Sequence, residues 1–212
     1  MVTPLDVIPP FHRAFRNDMR IIDDAAYKAA AEDGNLAPAV ERLRFFSEVL
    51  KWHAHGEEEL VFPALDRVAP LVAKAYLLDH REFDIMTEGL AKIKAASDAL
   101  IAARATAEMT AVLRIHLDKE DVHLYPILRE RTSVEEQASI IGGMAQHVPP
   151  ERNPEFIPWL LNLLGHDDRE MWTRVVMGLM PEQVFEGVKL LIRDTITDDW
   201  AELARRIPEL NV

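Results

Sequence analysis

Residues 47–65, SEVLKWHAHGEEELVFPAL, and residues 110–128, TAVLRIHLDKEDVHLYPIL, are two copies of one segment. Aligned without gaps, Val49, Leu50, His53, Glu57, Pro63 and Leu65 match Val112, Leu113, His116, Glu120, Pro126 and Leu128. Ser/Thr, Lys/Arg, Glu/Asp and Phe/Tyr exchanges fill several other columns. A fainter echo pairs His12-Arg13-Ala14-Phe15 with His80-Arg81-Glu82-Phe83. Such self-similarity restricts the fold more than composition does, because whatever one copy builds the other must build again. Each copy contributes one His from a first helix and a His-x-x-x-Glu from a second.

The pattern around these segments is helical throughout. Helices are expected near 8–32, 37–66, 70–103 and 105–131, the first stopped by Asp33-Gly34 and the third with a break around Ser97. Val40, Leu43, Phe46 and Leu50 recur at helical spacing, and Pro70 suits a first turn. Short links between helices of this length favour antiparallel neighbours, so residues 1–132 read as an up-down-up-down four-helix bundle in an all-α protein. Residues 133–212 read as a helical extension that packs on the bundle or on a partner. Pro149-Pro150-Glu151-Arg152-Asn153-Pro154 is its linker, followed by helices near 155–164, 167–179 and 181–206. Trp159, Leu160, Leu163 and Leu164 are too apolar to stay in water.

Residues four apart on a helix differ by about 40° around its axis, so His53 and Glu57 share a face, as do His116 and Glu120. Two-fold repetition brings both pairs, with His12 and His80, toward one point in the bundle. Four imidazoles and two carboxylates are costly to bury unless something binds them. A metal pair does so, with iron or manganese suited to this donor set and zinc also accommodated. The chain has no cysteine, so thiolate ligands, disulfides and a Cys nucleophile are excluded.

The net charge of -12 argues against a nucleic-acid partner. A content of 49% hydrophobic residues is enough for a core. No run approaches the roughly 20 apolar residues of a membrane span, and the first residues lack the pattern of a signal peptide, so a cytoplasmic location without membrane association is expected.

The order His12, His53-x-x-x-Glu57, His80, His116-x-x-x-Glu120, with Phe62-Pro63 and Tyr125-Pro126 trailing, resembles the hemerythrin-like HHE cation-binding domain over roughly residues 8–131. The resemblance implies two non-haem irons, bridged by carboxylates and an oxo or hydroxo group and held by those six residues. It also implies a small ligand: O2, H2O2 or nitric oxide. Oxygen-carrying members have a second His one turn after the third-helix His, where this chain has Asp84. That residue is a candidate oxygen ligand, an acceptor for His80, or a partner for Arg16. Loss of the imidazole turns the expectation away from reversible O2 carriage and toward peroxide or oxygen redox chemistry, such as a catalase-like activity. Sensing of iron, oxygen or nitric oxide, or simple holding of iron or O2, are the alternatives. The segments around Ile140-Ile141-Gly142-Gly143 and Pro158-Trp159 are similar to the stretch after hemerythrin domains in some plant iron-regulatory proteins. The extension could equally mediate a homodimer or contact a protein partner.

Among the remaining polar groups, His123 lies three residues past Glu120 and seven past His116. It is therefore placed roughly inward, as a ligand or a support for one. His55 is expected in solvent. Glu58, Glu59 and Asp121 read as a solvated acidic face, and Phe62 and Tyr125 as packing at the bundle end.

Overall fold

The computed structural model describes residues 2–32, 34–93 and 98–211. Its elements are helices, and no strand occurs among the described residues. The chain folds into two compact units: residues 15–131, and residues 1–14 together with 132–212.

The first unit is a helical bundle. Helix α1 (Ile8–Ala31) contributes all but its first two turns. It stops where expected: Gly34 takes the left-handed backbone (φ 72°), and its N–H donates to the Ala29 carbonyl at 2.8 Å. Asp33 and Ser97, named above as turn and break, lie outside the described residues. Helix α2 (Ala37–Gly56) runs into a π-helical turn, Glu57–Val61, and then into α3 (Phe62–Val68). Helix α4 (Ala73–Lys92) follows, then α5 (Ala99–Lys119), a second π-helical turn at Glu120–Leu124, and α6 (Tyr125–Arg131). The third and fourth helices thus meet earlier in the chain than expected. Ile93 adopts extended backbone (ψ 117°) and ends α4, and Ala99 already lies in α5.

The interior is built from residues of all these helices. Phe15 meets Phe46 edge-on at 5.7 Å, while Ala26, Ala29, Leu36, Ala39 and Ala102 form a tight small-residue cluster where α1, α2 and α5 approach. Polar ties supplement it: buried Asp18 accepts from Arg42, Asp23 accepts from Thr106 at 2.7 Å, and Arg16 pairs with Asp118 and Asp121 at 2.8 and 2.7 Å.

The two π turns begin at the Glu of each His-x-x-x-Glu, in the same register. Pro63 and Pro126 explain them. A proline ring clashes with the carbonyl four residues back and offers no N–H. Widening the preceding turn relieves the clash, and the Phe62 and Tyr125 N–H groups reach back five residues to the Glu57 and Glu120 carbonyls.

The second unit has its own core. Helix α7 (Val134–Ala145) is capped by Ser133, whose hydroxyl accepts from the Glu136 N–H at 3.2 Å. After it come α8 (Asn153–Asn162), α9 (His166–Leu179), α10 (Glu182–Thr195) and α11 (Trp200–Arg206). The single helix expected near 181–206 is therefore two. Ile196 leaves the helical region (φ -113°, ψ 47°), and its buried side chain joins the core at that corner. Leu160, Leu163 and Leu164 are buried with Ile157, Trp172 and Phe185, and Trp159 packs against them. Phe11 completes this cluster, with its ring centroid 5.8 Å from Phe156 and 6.1 Å from Trp159.

Candidate metal centre

Three neighbouring helices carry the centre of the bundle. His53 ends α2 and Glu57 opens the π turn after it; His116 and Glu120 repeat this on α5; His80 comes from the middle of α4. All five are buried, the two carboxylates completely. Glu57, His80, His116 and Glu120 each offer a ligand atom within 4.8 Å of the others, and His53 with Glu57 and Glu120 belongs to a second such set. His53 Nε2 lies 3.2 Å from Glu57 Oε1, His80 Nε2 lies 3.3 Å from Glu57 Oε2, and His116 Nε2 lies 3.0 Å from Glu120 Oε1. His12 is likewise buried, on α1.

The far sides of two rings are held. His80 Nδ1 is 3.0 Å from Glu58 Oε1, and His116 Nδ1 is 2.9 Å from Asp79 Oδ2, which Lys119 also contacts at 2.5 Å. A carboxylate at Nδ1 keeps the proton there and turns the Nε2 lone pair toward the centre, the orientation a metal requires. Tyr125, buried, donates its O–H to Glu57 Oε1 at 2.6 Å. Glu57 Oε2, also buried, accepts no hydrogen bond from the described residues, a costly state that a cation would relieve. Rings of Phe15, Phe62 and Phe83 stand 5.3, 5.1 and 5.0 Å from those of His53, His80 and His116, and exclude water.

The titrations follow from this packing. Burial alone would raise the Glu57 pKa, but His53 and His80 beside it hold it well below the usual carboxylate range. Burial disfavours a charged His116, yet its bonds to Asp79 and Glu120 prevail and lift it to about 9. Burial, reinforced by Glu57 and Glu120, pushes the Tyr125 phenol well above 10, so it remains a donor.

Two sequence candidates lie elsewhere. Asp84 is exposed, with Oδ1 3.8 Å from Lys51 Nζ, and Arg16 pairs with Asp118 and Asp121 instead. His123 is also exposed. It sits inside the π turn, whose wider winding breaks the regular α phase that had placed it inward. His55 is exposed as expected. Conversely, Glu58 and Asp79 were not read as supports. The same π widening brings Glu58 round to His80. Asp79 has Phe11 at the matching place in the repeat, so symmetry gave no signal for it.

Buried imidazoles and carboxylates facing one another inside a helical bundle define a metal-binding bundle protein. The chain belongs to the hemerythrin HHE cation-binding domain family, whose model matches residues 3–128. It is also similar to zinc finger protein BRUTUS of Arabidopsis thaliana, at 28% identity over 90% of this chain and 15% of that protein. Two BRUTUS-like zinc finger proteins of the same plant are 26% and 25% identical, over 89% and 92% of this chain and 16% of theirs. The chain thus spans about a sixth of the length of these relatives, and the similarity runs past the metal-site domain into the residues after 132. No solved structure matches it. Among the described residues, no helix is long and apolar enough to cross a membrane.

Proposed function

We propose that the chain holds two non-haem iron ions and uses them to bind or react with a small oxidant, O2, H2O2 or nitric oxide. The observation that carries this reading is the buried cluster itself, with imidazole Nε2 atoms and two carboxylates converging in a dry interior. His12, His53, Glu57, His80, His116 and Glu120 would hold the ions, through imidazole nitrogens and carboxylate oxygens. His12 is included on helix phase: it lies three residues, less than one turn, before Phe15, whose ring packs on His53. Bound iron supplies a pair of redox centres able to exchange two electrons with an oxidant. The protein's own part is to orient the imidazoles through Glu58 and Asp79, to hold a proton at the Tyr125 oxygen, and to keep bulk water out. Manganese suits the same donors less well in this reading, and zinc would leave the centre redox-silent.

His116→Ala is expected to lose most bound iron and any peroxide consumption together. An iron-depleted variant that still consumed peroxide at the parent rate would refute the redox reading.

A second reading, an iron, oxygen or nitric-oxide sensor without turnover, is favoured by similarity to the BRUTUS proteins continuing beyond the metal-site domain. Residues 132–211 would then be the output, as a contact to a protein partner or a second copy. Hydrogen exchange of that segment with and without iron separates the readings: a change without multiple-turnover peroxide loss supports sensing.

A further inference from the structure

One break in the repeat that builds the centre comes down to a single atom. Tyr125 and Phe62 occupy the same place in the two copies, each following a π turn and each sending its backbone N–H back to the carbonyl of the copy's Glu. Their side chains differ by one hydroxyl. Tyr125 donates it to Glu57 Oε1 at 2.6 Å, the oxygen that also faces His53 at 3.2 Å. Glu57 Oε2, on the His80 side, accepts no hydrogen bond from the described residues. Phe62 has no hydroxyl to give; its ring packs beside those of His80 and Tyr76, at 5.1 and 6.2 Å.

We propose that Tyr125 is a positioning residue that makes the two metal positions unequal, by engaging the Glu57 oxygen on the His53 side and leaving the oxygen on the His80–His116 side as the stronger donor. A phenol hydrogen bond draws electron density from the oxygen that accepts it and fixes the rotation of the carboxylate. Oε1 therefore gives a weaker bond to a cation beside His53, and Oε2 keeps its full donor strength beside His80. The first ion should therefore settle with His80, His116, Glu57 and Glu120, and the second beside His53. The inference rests on the two-ion reading above.

The test is an anaerobic titration of the full chain with iron(II), followed by Mössbauer spectroscopy of the iron-57-loaded protein. The wild type should bind two ions in separable steps and give two unequal quadrupole doublets. In Tyr125→Phe the gap between the two dissociation constants should narrow about tenfold and the doublets converge, with unchanged helical circular dichroism. Phe62→Tyr gives the same reading by the opposite route. The repeat places the new hydroxyl at Glu120, weakening the favoured position, so the gap narrows although Tyr125 is intact. This variant decides the matter should Tyr125→Phe fail to fold. Unchanged steps and doublets in a folded Tyr125→Phe, or in Phe62→Tyr, overturn the role of Tyr125 while the two-ion reading stands. A wild type that binds no iron, or one ion only, overturns both.

Discussion

His116 is gripped at both ring nitrogens, by Asp79 at Nδ1 and beside Glu120 at Nε2. With its pKa raised from 6.5 to about 9 in the folded, metal-free protein, it carries a charge there that the unfolded chain gives up more readily. The stabilisation is thus complete below about pH 6.5 and disappears as pH rises through about 9, a loss of up to about 3 kcal/mol. Metal uptake runs the other way, because a ligating Nε2 must be free of its proton. The melting temperature of the metal-free protein is expected to fall between pH 6.5 and 9 while iron(II) affinity climbs over the same interval. A flat melting temperature in calorimetry would contradict this. Asp79→Asn, which keeps the shape but removes the charge at Nδ1, should lower metal affinity about tenfold to a hundredfold by equilibrium titration.

Helices here are shaped by single residues with conformational demands. Pro63 and Pro126 force the π turns that start at Glu57 and Glu120. Pro63→Ala restores a donor and removes the clash, so the first turn can tighten to α and swing Glu58 away from His80. Helicity by circular dichroism should hold or rise while metal affinity drops; equal affinity would show that the π turn is incidental to the site. Gly34 ends α1 in the left-handed region with no atom near its missing Cβ. Gly34→Ala should therefore cost about 1 kcal/mol from backbone strain alone, read by chemical denaturation.

On the scale of the whole molecule, residues 15–131 and residues 1–14 with 132–212 each possess a core. Leu160 is fully buried in the second, among Ile157, Trp172 and Phe185. Leu160→Ala is expected to cost about 2–5 kcal/mol, seen as faster amide exchange across 153–207. The same core answers the apolar content of the extension: Trp159 and its neighbouring leucines are covered by α9, α10, α11 and Phe11.

The amino-acid sequence determined by itself the helical class and the pairing of His53 with Glu57 and of His116 with Glu120. Periodicity and an i, i+4 spacing are local properties, and an internal repeat doubles the signal. It also carried the family, through the order and spacing of His and Glu. What depended on neighbours far along the chain was decided only in three dimensions. Glu58 and Asp79 became supports because α4 lies beside α2 and α5, and no local pattern announces which acid will meet which imidazole. Asp84 and His123 went to the surface, the latter because a proline downstream changed the winding of its turn. Tyr125, read from the sequence as packing, became a donor to Glu57 because the fold set one copy of the repeat against the other, 68 residues apart along the chain.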